Sequence, residues 1–137
     1  MPLLYLVRHG ESEANRLSIF SNRDLPHALA DLGRAQVEEL AGRLQDVAFT
    51  AIYASPILSA RETAQILADR LHLPFELAPA LAEFDMGILE GTFASEGWYR
   101  QKTLFESWRN GDTHARASCW SDMVARSSAC FHPYSPT

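Results

Sequence analysis

The chain has 137 residues, 47% of them hydrophobic, and its 12 lysines and arginines against 17 acidic residues give a formal net charge of −5. That length supports one domain with a hydrophobic core, not two, and no basic block is present to neutralise a nucleic-acid backbone. The apolar run at the amino terminus breaks at Arg8, short of the roughly 18 residues a membrane span needs and with no positively charged region before it. The expectation is a cytoplasmic protein with neither nucleic-acid nor membrane partners.

Leu3-Leu4-Tyr5-Leu6-Val7 is apolar throughout, the pattern of a strand inside a sheet. It delivers Arg8-His9-Gly10-Glu11-Ser12 to a carboxyl strand end, where open α/β sheets bind ligands and where Gly10 lets a ligand approach the backbone. Residues 12–20 turn from polar to apolar, and Ser21-Asn22-Arg23-Asp24-Leu25-Pro26 is loop chemistry. A helix begins near Asp31, because Val37, Leu40, Ala41, Leu44 and Ala48 recur at three- and four-residue spacing and leave Arg34, Glu38 and Arg43 solvated. Phe49-Thr50-Ala51-Ile52-Tyr53-Ala54 reads as a second buried strand, closed by Ser55-Pro56. The next helix carries Ala60, Ala64, Leu67, Ala68 and Leu71 on one stripe and is ended by Pro74.

Phe75-Glu76-Leu77-Ala78 alternates like a short half-buried strand, and the glycine-punctuated residues 79–91 are the expected active-site loop. Between residues 95 and 109, Trp98, Phe105 and Trp108 are spaced as on a helix, stopped by Asn110-Gly111, with the aromatics expected in the core. The order strand, helix, strand, helix, strand predicts an α/β fold, a three-layer, mostly parallel sheet flanked by helices. Cys119 and Cys130 form no Cys-x-x-Cys pattern and read as plain thiols, and no metal-ligand spacing occurs. His27 and His72 belong to no motif and read as ordinary surface or satisfied residues.

Five segments in order carry a resemblance. Leu6 to Ser12 with Asn15 comes first, then Leu32-Gly33-Arg34-Ala35-Gln36, then Tyr53-Ala54-Ser55-Pro56, then Ser59-Ala60-Arg61-Glu62-Thr63-Ala64, and last Leu81-Ala82-Glu83 through Gly87 to Glu90-Gly91. Together they cover residues 3–91 and resemble the histidine phosphatase superfamily, the phosphoglycerate-mutase-like family, in its phosphatase branch. The resemblance implies the corresponding α/β fold over a single domain of residues 1–137. It also implies metal-independent phosphomonoester hydrolysis, without cofactor, on a small-molecule phosphate ester. His9 would be the nucleophile and Glu83 the proton donor, with Glu90 its local rival. Arg8, Gly10, Glu11, Ser12, Asn15 and Arg61 would surround the phosphate.

Elementary chemistry agrees with those roles. A phosphate monoester brings nearly two negative charges, and its equatorial oxygens must be held while the bond to the leaving oxygen breaks. Arg8 adjoins the nucleophile, and Arg61 falls in the first turn of a helix, whose free N–H groups favour an anion; both guanidiniums bind bidentately. An imidazole attacks through one nitrogen while the other, protonated, is held by an acceptor. An alkoxide leaves poorly near neutral pH, so a carboxylic acid must protonate it. Glu11 and Asn15 have a second reading as helix-start residues that cap or polarise the first turn.

The carboxyl-terminal part departs from the family pattern. Members carry a second histidine followed by glycine at the end of another apolar strand, but no glycine follows Gly111 here. His114 lies in a polar loop, and His132 sits beside Pro133, which disfavours a central strand; neither reads as the missing partner. Beyond about residue 116 the chain reads as truncated or altered, which would leave the first strand without a neighbour along one edge and open to self-association. Two other functions therefore stand beside the hydrolase: a phosphoglycerate mutase-type phosphoryl transfer, and a catalytically impaired phosphoester-binding module. Ala82-Glu83-Phe84-Asp85-Met86-Gly87 is closer to the phosphatases than to the mutases at the acidic loop.

Overall fold

The computed structural model describes residues 3–115, apart from residues 24 and 85 and the side chain of residue 96. In chain order the elements are α1 (Glu13–Leu17), α2 (Asp31–Leu44), β1 (Ile52–Ala54), α3 (Leu58–Leu71), β2 (Phe75–Leu77) and α4 (Ala94–Arg109). Single 3-10 turns at Pro79–Leu81 and Gly87–Leu89 punctuate the connection from β2 to α4.

The two 14-residue helices α2 and α3 are short enough to be marginal alone in water, and their apolar stripes stabilise them by meeting. Val37 and Ala41 of α2 and Leu67 of α3 form a buried cluster with Leu29, against which Leu40, Ile52, Ile66 and Leu71 pack. Each fully buried Val or Leu in such a stripe contributes about 1.5–3 kcal/mol. Glu62 adds a polar tie between the helices: its carboxylate accepts the Leu29 N–H at 2.6 Å and the Arg34 guanidinium at 3.0 Å. On the outer surface Arg70 donates to Glu38, whose hydrogen bond and then charge raise the guanidinium pKa.

Past its last turn α3 bends through His72, in the left-handed region at φ 56, whose N–H returns to the Ala68 carbonyl. β2 then pairs in parallel with β1, Ile52 opposite Phe75 and Ala54 opposite Leu77. A parallel pair needs a crossover, and α3 is that crossover. The fold is thus of the mixed helix and parallel-strand α/β kind, with a small sheet.

A second buried cluster, Phe20, Met86 and Leu89 with Ala94 packed on it, lies between the loop after α1 and the start of α4. Backbone bonds join the same segments: Phe20 N–H to the Thr92 carbonyl at 3.0 Å and Gly91 N–H to the Phe20 carbonyl at 2.8 Å. α4 comes close through Gly97, where an added Cβ would stand 2.5 Å from the Phe20 ring.

Two expectations change. Residues 3–7 join no ladder among the described residues, and Leu3, Leu4 and Leu6 are 79%, 79% and 88% exposed. Apolar composition suits a segment to a sheet interior, but a strand exists only where another strand accepts its hydrogen bonds; among the described residues the two-stranded sheet of β1 and β2 lies elsewhere. Tyr5 packs its ring edge-on to Phe49 instead, 5.1 Å between centroids. On α4 the buried positions are Gly97 and Leu104, while Trp98 and Phe105 are exposed. The small residue faces the body because α4 approaches it closely, and the aromatics flank that stripe. Phe105 and Trp108 meet Phe84 edge-to-face at 5.6 and 5.4 Å, so they brace the acidic loop. Cys119, Cys130, His132 and the altered ending expected after residue 116 lie outside the described residues. Among those described, no helix is long and apolar enough to cross a membrane.

Candidate active site

The turn that carries His9 is fixed from two sides. The buried Gly10 N–H donates to Thr63 Oγ1 at 3.1 Å, and that hydroxyl donates in turn to the Ser59 carbonyl at 2.8 Å, one turn back along α3. On the other side the first turn of α2 presses against it. A Cβ on Gly10 would stand 2.4 Å from the Gly33 carbonyl oxygen, and one on Gly33 2.0 Å from the Glu11 oxygen. Gly10 is therefore needed for contact between two backbones, where the sequence suggests access for a ligand.

His9 is half-buried, with Nδ1 2.7 Å from the Gly10 carbonyl oxygen. A carbonyl only accepts, so Nδ1 is the donor in this contact, and in the neutral tautomer that it favours Nε2 has the lone pair. Ser12 caps α1: its hydroxyl accepts the Asn15 N–H, and the Asn15 carboxamide oxygen accepts from the Ser12 N–H and hydroxyl. With that oxygen committed to the cap, Asn15 has its NH2 end to offer an anion. Glu11 is committed through its backbone, donating to Gln36 Oε1 and accepting from Ala30 N–H.

His9, Ser12 and Asn15 border a cavity of about 490 Å³ that Arg8, Ser59 and Glu83 also line. Ser21, Asn22, Leu25 and His27 line it from the loop before α2. Arg8 places a guanidinium there, His9 an imidazole and Glu83 a carboxyl group. Glu83 is exposed, one oxygen accepting the Phe84 N–H at 3.2 Å. A larger groove of about 590 Å³ along α4, lined by Trp98, Lys102, Phe105 and Arg109 among others, contains no histidine. Gly10, Glu11, Arg61 and Glu90 are not among the residues lining that cavity. Arg61 is half-buried in the first turns of α3, its N–H bonded to the Ile57 carbonyl. Among the described residues no group of three His, Cys, Asp or Glu side chains is placed to hold a metal ion.

The residue that sequence reasoning passes over is His27. It is half-buried in the cavity wall with Nδ1 2.9 Å from Ser21 Oγ. No periodicity or motif marks it, since a loop histidine acquires its neighbours only from the fold of the loop. His72 is exposed at the end of α3, as expected. His114 is exposed and absent from the cavity lining.

Comparison with known proteins places these features in context. The probable phosphoglycerate mutase GpmB of Enterobacter sp. (strain 638) is 38% identical over 104 residues, which are 71% of this chain and 47% of that protein. The 2,3-bisphosphoglycerate-dependent phosphoglycerate mutase of Thermoplasma acidophilum is 34% identical over 96 residues, 70% of this chain and 48% of that one. Among solved structures, a mycobacterial glucosyl-3-phosphoglycerate phosphatase complexed with VO3 superposes with a TM-score of 0.66 at 26% identity, over 79% of this chain and 51% of that chain. The alpha-ribazole phosphatase of Shigella flexneri gives 0.64 at 28% identity, over 80% and 54%. The chain spans about half the length of the curated relatives it matches. The family model described as histidine phosphatase superfamily (branch 1) matches residues 4–134, and with nearly the whole chain inside that match, this protein belongs to the histidine phosphatase superfamily.

Proposed function

We propose that this chain is a single cytoplasmic domain that hydrolyses small phosphate monoesters through a phosphohistidine on His9, without metal or cofactor. The observation that carries the reading is the His9 ring, its Nδ1 proton held by the Gly10 carbonyl, in the wall of a cavity that also contains Arg8, Asn15 and Glu83. Nε2 attacks phosphorus as the bond to the leaving oxygen breaks, and the Glu83 carboxyl gives that oxygen its proton. Water then attacks the phosphohistidine, Glu83 takes up a water proton, the P–N bond breaks and orthophosphate leaves. Arg8 and the Asn15 NH2 group bind the phosphoryl oxygens, with Ser12, Gly10 and Glu11 shaping the turn that presents them. Arg61 joins them when substrate is bound. Phosphatases of small esters among the structural relatives support this class.

The test is orthophosphate release from p-nitrophenyl phosphate by the full chain. Release that falls by at least about 10³-fold in His9→Ala supports the reading, as loss of a nucleophile requires. Release unchanged by that substitution refutes it, and binding of vanadate without any release favours the phosphoester-binding module.

The mutase reading is favoured by the names of the two sequence relatives. Incubation with bisphosphoglycerate separates it, because isomerisation without orthophosphate release would replace the hydrolase. Self-association through the exposed apolar residues 3–7 belongs to the same proposal, since a hydrophobic segment that joins no ladder among the described residues is a template for another chain.

A further inference from the structure

We infer that Glu90 is a positioning residue, a carboxylate clamp that fixes the Glu83 loop against the cavity wall; the inference rests on the proton-donor reading of Glu83. The two acids differ in where they stand. Glu83 lines the cavity, whereas Glu90 does not. Both Glu90 oxygens accept from backbone N–H groups: Oε2 from Asn22 at 2.9 Å and Arg23 at 3.3 Å, and Oε1 from Met86 at 2.9 Å. One side chain thus joins the loop that carries Asn22 into the cavity to the loop that carries Glu83.

The neighbouring contacts bear on the same joint. Asn22 Nδ2 donates to the Phe84 carbonyl at 3.0 Å, adjacent to Glu83, and the Phe84 ring is braced by Phe105 and Trp108. Met86, whose N–H Glu90 holds, is completely buried against Phe20 and Leu89. Glu83 itself is exposed, so its placement depends on what holds the residues on either side of it. An ionised carboxylate makes stronger hydrogen bonds to backbone N–H groups than a neutral amide does. A glutamine at 90 offers one acceptor oxygen and turns an NH2 donor toward the remaining N–H groups. Glu90→Gln should therefore release one loop while leaving side-chain volume unchanged.

Leaving-group dependence separates positioning from general damage. p-Nitrophenolate departs without a proton, whereas an alkoxide needs the acid. We expect Glu90→Gln to lower the single-turnover rate of His9 phosphorylation, the step in which Glu83 gives up its proton, by tenfold or more from 2-glycerol phosphate and by less than about threefold from p-nitrophenyl phosphate, the pattern also expected of Glu83→Gln. Equal losses on the two esters, or no loss on either, would overturn the clamp. Hydrogen exchange in the unaltered chain gives a second test that needs neither turnover nor a variant. After division by their intrinsic rates, the Asn22, Arg23 and Met86 amides should show one common protection factor, larger than that of the Phe84 amide; three unrelated protection factors would overturn the clamp. If Glu83→Gln loses equally on both esters, the proton-donor reading fails, while the exchange rates still decide whether Glu90 joins the loops.

Discussion

Thr63→Val removes the one oxygen that holds the Gly10 N–H behind the His9 turn and changes little else. Valine keeps the shape and the β-branching of threonine, so its helix propensity in α3 is nearly the same. The Ser59 carbonyl loses an extra donor, but the buried Gly10 N–H loses its acceptor altogether. Leaving a buried donor unsatisfied costs about 1–3 kcal/mol; with a urea m-value of about 2 kcal/mol/M, the midpoint falls by roughly 0.5–1.5 M at unchanged m. Thr63→Ser keeps the hydroxyl and gives up one methyl, about 0.8 kcal/mol, so it should fall between Val and the natural chain. Exchange of the Gly10 amide should accelerate in the valine variant beyond what global destabilisation accounts for. A valine variant as stable as the natural chain, or a serine variant less stable than valine, would refute this account of how the His9 turn is held.

Gly33→Ala should destabilise by at least about 3 kcal/mol or prevent folding, because its Cβ would meet the Glu11 backbone at 2.0 Å and backbone cannot step aside as a side chain can. Gly42→Ala in the same helix meets nothing within 4 Å and should stabilise by about 0.5–1 kcal/mol; urea titrations of the pair check both signs. Leu4→Lys with Leu6→Lys should leave thermal stability within about 0.5 kcal/mol, as at other exposed positions, while lowering the concentration dependence of sedimentation. Unchanged sedimentation would remove residues 3–7 from any self-association.

What is legible in the sequence is what is local. α2 begins at Asp31 as its stripe of Val37, Leu40 and Ala41 predicts, and α3 ends near Pro74 as expected. The short strand at Phe75–Leu77 appears too, since its alternation is visible without knowing its partner. Residues 3–7 fail for the opposite reason: their pattern states that they need neighbours, not that neighbours are present. Trp98 and Phe105 read as core by type, yet the helix turns Gly97 and Leu104 inward because only a small residue fits beside Phe20.

The site divides in the same way. His9, Ser12, Asn15 and Glu83 border one cavity, while Gly10 answers to Gly33, a backbone 23 positions away. His27 and the Glu90 contacts depend on loops meeting across more than 60 residues for Asn22 and Glu90, which no spacing rule reports. Between the two acids of the 79–91 loop, the choice rests on which one borders the cavity and which one is spent on backbone amides.

The most direct measurement on the central claim is to quench the full chain with a phosphoryl donor during turnover, digest it under alkaline conditions and locate the added phosphoryl group by mass spectrometry. The expected result is an acid-labile, base-stable modification on the peptide containing His9, absent from His9→Ala. A base-labile modification, or one that persists in His9→Ala, would contradict the assignment of the His9 imidazole as the group that accepts phosphorus.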